Sequence, residues 1–138
     1  MERSLVIPSD PAAIDLVETF LSVLAQDLGL SEDAAGDLII AGTEAANNAI
    51  LHGNQRQCGL SVRLDASVVS DGATRRLQVV VTDEGSCDWP LQESDPTLPE
   101  HLLDVSGRGL LIIRHLMDDV RIEPNCPGTR IILVKTLA

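Results

Sequence analysis

Two alternating runs joined by a four-residue turn do most to limit what this chain can fold into. Leu60, Val62, Leu64, Ala66 and Val68 alternate with other residues, and Leu77, Val79 and Val81 repeat the pattern beyond Ser70-Asp71-Gly72-Ala73. Successive side chains of a strand point to opposite faces, so the pair reads as a β-hairpin with one apolar face. Such a face needs a cover, and the residues ahead of it supply one. Ser9 and Asp10 are cap candidates and Pro11 suits a first helical position; Ile14, Val17, Leu21, Leu24 and Leu28 then recur at helical spacing until Gly29. Ser31 can cap a second helix, with apolar positions at Leu38, Ile39, Ala41, Ala45, Ala46, Ala49 and Ile50 and an end marked by His52 and Gly53.

Residues 3–8 read as a short strand. Gly107 and Gly109 open a third helix running to about Met117, and two last strands, 118–124 and 129–137, turn at Cys126-Pro127-Gly128. The order β-α-α-β-β-α-β-β predicts an α+β two-layer sandwich, a mixed sheet with helices on one face. No repeat, low-complexity tract or break in composition divides the 138 residues, so a single domain is expected over 1–138. Residues 84–106 carry acidic residues and prolines without a period, and a loop of that length inside a domain reads as a functional lid or a disordered segment. Phe20 and Trp89 are the only aromatics, so the core must be built from Leu, Ile, Val and Ala.

The net charge is −11, from 21 acidic and 10 basic residues. Phosphate neutralisation needs clustered Lys and Arg, so direct nucleic-acid binding is excluded as an expectation. The three cysteines, 58, 87 and 126, have no spacing of a metal knuckle and read as reduced thiols. The N-terminal apolar stretch is too short for a signal peptide and no run reaches membrane-spanning length, which predicts a cytoplasmic protein without membrane contact.

Four short features stand out against this frame. Glu44 and Asn48, four residues apart, share a helix face among alanines, where polar groups are costly unless satisfied. Asp83-Glu84-Gly85 follows a strong strand, where an acid can hold one fixed acceptor over a ligand and a glycine lets backbone approach it. Ser106-Gly107-Arg108-Gly109 precedes a helix, and exposed N–H groups at a helix start attract phosphate. Gly128-Thr129 enters the last strand. Taken singly, each has a plain structural reading: a helix edge, a strand-ending turn, a hinge, a turn.

Their order and spacing resemble the ATPases of the GHKL superfamily (gyrase, Hsp90, histidine kinases). Glu44-Ala-Ala-Asn-Asn48-Ala-Ile-Leu-His52-Gly53 resembles the N box, Asp83-Glu-Gly85 the G1 box, Gly107-Arg-Gly109-Leu the G2 box, and 128–135 the closing glycine-threonine strand. The short length and the run GLLIIRHLMDDV (109–120) are similar to the anti-sigma-factor serine kinases of that superfamily. The resemblance implies ATP as cofactor and Mg²⁺ held by Asn48, with Glu44 as general base towards a hydroxyl. Asp83 would accept from the adenine amino group with Thr129 in support, Gly85 would allow close approach, and Gly107, Arg108 and Gly109 would wrap the phosphates. It also implies the partners: a STAS-type anti-sigma-factor antagonist as substrate, a sigma factor to sequester, and a second copy in a homodimer paired through the exposed sheet. Two positions depart from the pattern. Cys87 stands where a second G1 glycine is usual, and Val105 where an arginine precedes the lid's serine-glycine pair. A nucleotide-binding switch without phosphotransfer and the catalytic domain of a sensor kinase are the alternative readings.

Overall fold

The computed structural model describes residues 1–54, 59–85, 105–124 and 128–137. Strand β1 (Glu2–Pro8) leads through a 3-10 turn (Pro11–Ala13) into helix α1 (Ile14–Asp27), followed by α2 (Glu32–Asn48) and a π turn (Ala49–Gly53). Strands β2 (Ser61–Asp71) and β3 (Thr74–Asp83), helix α3 (Val105–Leu116), and strands β4 (Asp119–Pro124) and β5 (Thr129–Leu137) complete the order.

The local signals act as their chemistry requires. The Asp10 carboxylate accepts from the Ala12 N–H at 3.0 Å with Pro11 behind it, and the Ser31 hydroxyl accepts from the Ala34 N–H at 3.1 Å. Each satisfies a donor that a helix start leaves without an intrahelical partner. Gly72 sits at φ 62° between the closing pair Asp71 and Thr74, a backbone conformation that costs a glycine little.

The five strands form one sheet in the order β1-β2-β3-β5-β4. Every described pairing is antiparallel, which corrects the expected mixed sheet. The cause is topological. β3 and β4 run the same way on either side of α3, but β5 lies between them and pairs with both, so no two parallel strands meet. The two-layer α+β sandwich itself is what the chain forms.

Alternation then sorts the sheet. Val62, Leu64, Leu77, Val79, Val81, Ile131 and Leu133 face the helices and are buried, as are Val17, Leu21 and Leu24 of α1 and Leu38, Ala41, Ala45 and Ala49 of α2. The small residues on α2 bring the helices close: a Cβ on Gly42 would run into Leu21 Cδ1. Truncating Leu21, fully buried at this contact, is worth about 2–5 kcal/mol. Lys135 ties the layers together, donating to the Leu116 carbonyl at 2.9 Å and pairing with Asp37 at 3.4 Å. A cation at the last carbonyls of α3 also complements that helix's dipole.

Candidate functional site

One corner is built where α2 meets the start of α3. Glu44 and Asn48 lie one turn apart on α2, and Gly109 faces both across the helix contact. A Cβ on Gly109 would stand 3.1 Å from Glu44 Oε2, 3.0 Å from Asn48 Nδ2 and 3.3 Å from Asn48 Oδ1. Only a residue without a side chain leaves these two polar groups their present positions. Asn48 is 2% exposed, and its Nδ2 finds no hydrogen-bond partner among the described residues. An unpaired buried amide costs about 1–3 kcal/mol, so such a group calls for an explanation.

The chain leaves α2 through the π turn directly after Asn48. Single π turns in helices are frequent at functional sites. Here the turn is closed by the Asn54 N–H donating to the Ala49 carbonyl at 2.8 Å. The sequence reading continued the helix to Gly53 without this change of winding.

The second corner lies at the end of β3. Asp83 is 3% exposed; its carboxylate accepts the Gly85 N–H at 3.0 Å and a backbone N–H from Thr129, itself fully buried. Burial pushes the Asp83 carboxyl up to about 6, against the pull of those two N–H groups. Gly128 closes the corner from β5. A Cβ there would collide with the Asp83 carbonyl oxygen and stand 3.2 Å from its Oδ1. An acceptor on a fixed stem, beside backbone that admits no extra atom, suits recognition of a flat donor group.

Of the expected residues, Glu44, Asn48 and Gly109 come together at the first corner, and Asp83, Gly85 and Thr129 at the second. α3 begins at Val105, so Gly107 and Arg108 lie within its first turn rather than ahead of it. Residues 86–104 of the expected lid, Cys87 among them, lie outside the described residues. The turn at 125–127 and Cys58 do as well. Sequence reasoning missed Asn54, 1% exposed, which donates from Nδ2 to the Ser61 carbonyl at 2.9 Å and accepts the Glu84 N–H on Oδ1 at 2.8 Å. The one available signal was a third asparagine just past His52-Gly53.

A polar pair on α2 and a buried strand-end acid both lie on the helix side of an antiparallel sheet, and this arrangement is compatible with a nucleotide-binding ATPase fold. The chain belongs to the histidine kinase-like ATPase domain family, whose profile matches residues 7–135. Within it, the chain is 33% identical over 137 residues to the serine-protein kinase RsbW of Bacillus subtilis, covering 95% of this chain and 82% of that protein. The RsbW of Oceanobacillus iheyensis is 29% identical over 139 residues, covering 96% of this chain and 84% of its own length. Among solved structures, the RsbU and RsbW domains of a Mycobacterium tuberculosis protein align with a TM-score of 0.68 at 18% identity. That alignment covers all of this chain and 33% of the other, and at this identity it speaks for the fold.

Proposed function

We propose that this protein is an ATP-dependent protein serine kinase of the anti-sigma type. It phosphorylates an anti-sigma-factor antagonist and sequesters a sigma factor, and the state of the antagonist decides which partner it holds. The observation that carries this reading is the meeting of Glu44, Asn48 and Gly109 in one corner, with Asn48 buried and its Nδ2 unpaired among the described residues. Membership in the ATPase family and the similarity to serine-protein kinases supply the reaction class.

The residues divide the work in a way phosphoryl transfer requires, since that chemistry rests on positioning and charge neutralisation. Asp83 holds an acceptor for the adenine amino group, kept in place by the Gly85 and Thr129 N–H groups. Gly107 presents a free N–H group of the first turn of α3 to the phosphates, Gly109 keeps clear the space beside Glu44 and Asn48, and Arg108, by its position between them, adds a positive charge. Glu44 orients and deprotonates the serine hydroxyl of the substrate.

Among the described residues there is no cluster of three or more His, Cys, Asp or Glu to hold a metal by protein groups alone. Mg²⁺ typically takes one or two protein oxygens and completes its shell with phosphates and water. Asn48 would hold such an ion through its Oδ1, at the place that Gly109 keeps clear of a side chain, while its unpaired Nδ2 is a donor suited to a phosphate oxygen. When bound, Mg²⁺ would supply charge neutralisation between the phosphates.

The face of the sheet away from the helices carries Val80, Ile132 and Val134 at its middle, with Arg76 and Arg121 beside a hollow of about 550 Å³. A homodimer paired through this face is part of the same reading. Among the described residues no helix is long and apolar enough to cross a membrane.

Titration calorimetry with Mg-ATP tests the site, and labelled phosphate transfer to a purified antagonist tests the activity. Asn48→Ala should weaken Mg-ATP binding sharply. Glu44→Gln should keep binding while transfer falls roughly 100-fold or more. ATP binding by the wild type without any transfer would reduce the protein to a nucleotide-operated switch, and no binding at all would overturn the reading.

A further inference from the structure

Asn54 uses its whole side chain and its own N–H. The N–H closes the π turn that begins right after Asn48, while the carboxamide reaches across to the two strands that end near Asp83. The β2–β3 ladder runs from Asp71↔Thr74 to Val62↔Asp83. One step further, the register would set Ser61 opposite Glu84, and an antiparallel rung there would be an exchange of backbone N–H and C=O. That rung is instead occupied by Asn54. Its Nδ2 donates to the Ser61 carbonyl at 2.9 Å, and its Oδ1 accepts the Glu84 N–H at 2.8 Å. The Ser61 N–H turns to the Glu84 carboxylate. A side-chain amide carries the same donor and acceptor as a peptide group, so Asn54 stands in for a piece of backbone between the strands.

We propose that Asn54 is a positioning residue for base recognition: its carboxamide ends the β2–β3 ladder at Asp83 and fixes that carboxylate relative to Asn48. With the ladder stopped, Glu84 and Gly85 leave the strand direction and the Gly85 N–H reaches Asp83 Oδ1 at 3.0 Å. The backbone bond to Ala49 anchors the same residue to the turn that follows Asn48, so one residue links the two corners. The proposal rests on the reading of Asp83 as the acceptor for adenine. It also explains why the residue is asparagine. Aspartate has no donor for the Ser61 carbonyl and would set a carboxylate against it, and alanine leaves both strand groups without their partner in a half-buried place.

The test compares ATP with inosine triphosphate by calorimetry on the wild type, Asn54→Asp and Asn54→Ala. Inosine carries a carbonyl oxygen in place of the adenine amino group and cannot donate to Asp83 from that position. The wild type should prefer ATP. Both variants should lose roughly tenfold in ATP affinity while keeping their affinity for inosine triphosphate, so that the preference collapses. A purely structural role for Asn54 would weaken both nucleotides alike and overturn the proposal. Variants with the wild-type preference would overturn it too, leaving the Asp83 reading intact. A wild type without preference would sink the Asp83 reading, and this proposal with it. Should the variants fail to fold, hydrogen exchange on the wild type decides. Glu84 is an exposed residue, and its amide should exchange as slowly as those of the β3 core; fast exchange would overturn the proposal.

Discussion

The two corners of the site hold buried polar groups of similar exposure in opposite states. Asp83 at the strand end is 3% exposed and takes two backbone N–H groups, with Gly128 pressed against its carbonyl. Asn48 on α2 is 2% exposed and has an unpaired Nδ2. The Asp83 corner is finished before any ligand arrives, whereas the Asn48 corner keeps a polar group whose partner is not supplied by the described residues. A base-reading acceptor gains from being pre-organised, because a rigid acceptor loses little order on binding. A phosphate and metal corner gains from polar capacity held in reserve. On the proposed reading, the Asp83 side is a fixed gauge and the Asn48 side waits for its ligand.

The largest break in this comparison comes from adding a single methyl group at each corner. Gly128→Ala meets the Asp83 carbonyl, which is backbone and cannot swing away. We expect a loss of about 3 kcal/mol of stability in chemical denaturation. Gly109→Ala meets only the ends of Glu44 and Asn48, at 3.0 Å or more. Those side chains can give by a few tenths of an ångström, and alanine favours a helix by about 1 kcal/mol over glycine. Stability should therefore hold while Mg-ATP affinity drops. Equal losses of stability in the two variants would erase the distinction between a fixed and a yielding corner.

These two glycines also show how far the sequence could be read. Both stood out as candidate motifs, but what each one touches depends on residues far away in the chain. The local devices were legible: the Ser31 and Asp10 caps and the Gly72 turn act through neighbours within a few residues, and the Ala41, Ala45, Ala49 stripe shows in its own helical spacing. The insertion of β5 between β3 and β4 was not, because strand pairing is decided by partners and leaves no periodic trace in either strand. The π turn after Asn48 was hidden for another reason. Over one turn, spacing of apolar residues does not separate five-residue from four-residue winding. Asn54 was the least legible residue, since its partners lie 7 and 30 positions away.

A middle-sized effect should separate the corners by pH. Burial raises the Asp83 carboxyl from 3.8 to about 6, so the folded protein takes up this proton more readily than the unfolded chain. The contribution of Asp83 to stability is thus fully present below pH 3.8 and is lost as pH rises through about 6. Nucleotide binding has the opposite sign, because the adenine amino group needs the ionised acceptor. As pH falls below about 6, ATP affinity should fall by up to about tenfold per unit. ATP phosphates titrate nearby, so the measurement is the difference between wild type and Asp83→Asn by calorimetry from pH 5 to pH 8. Parallel curves for the two proteins would remove Asp83 from base recognition.

The smallest expected effect is the sharpest, since it compares one residue type at one degree of burial. Asn54 is 1% exposed and has both side-chain groups paired, so Asn54→Ala strips partners from the Ser61 carbonyl and the Glu84 N–H. That change should cost about 2 kcal/mol. Asn48→Ala removes an amide whose Nδ2 is already unpaired, so the desolvation cost of that group disappears along with its packing. The two contributions oppose each other, and stability should stay within about 1 kcal/mol of the wild type while Mg-ATP binding collapses. Denaturation midpoints of the two variants, read beside their ATP titrations, give the result directly. If Asn48→Ala destabilises the ligand-free protein as much as Asn54→Ala does, then Asn48 is satisfied within the fold and the idea of a corner held in reserve for a ligand is wrong.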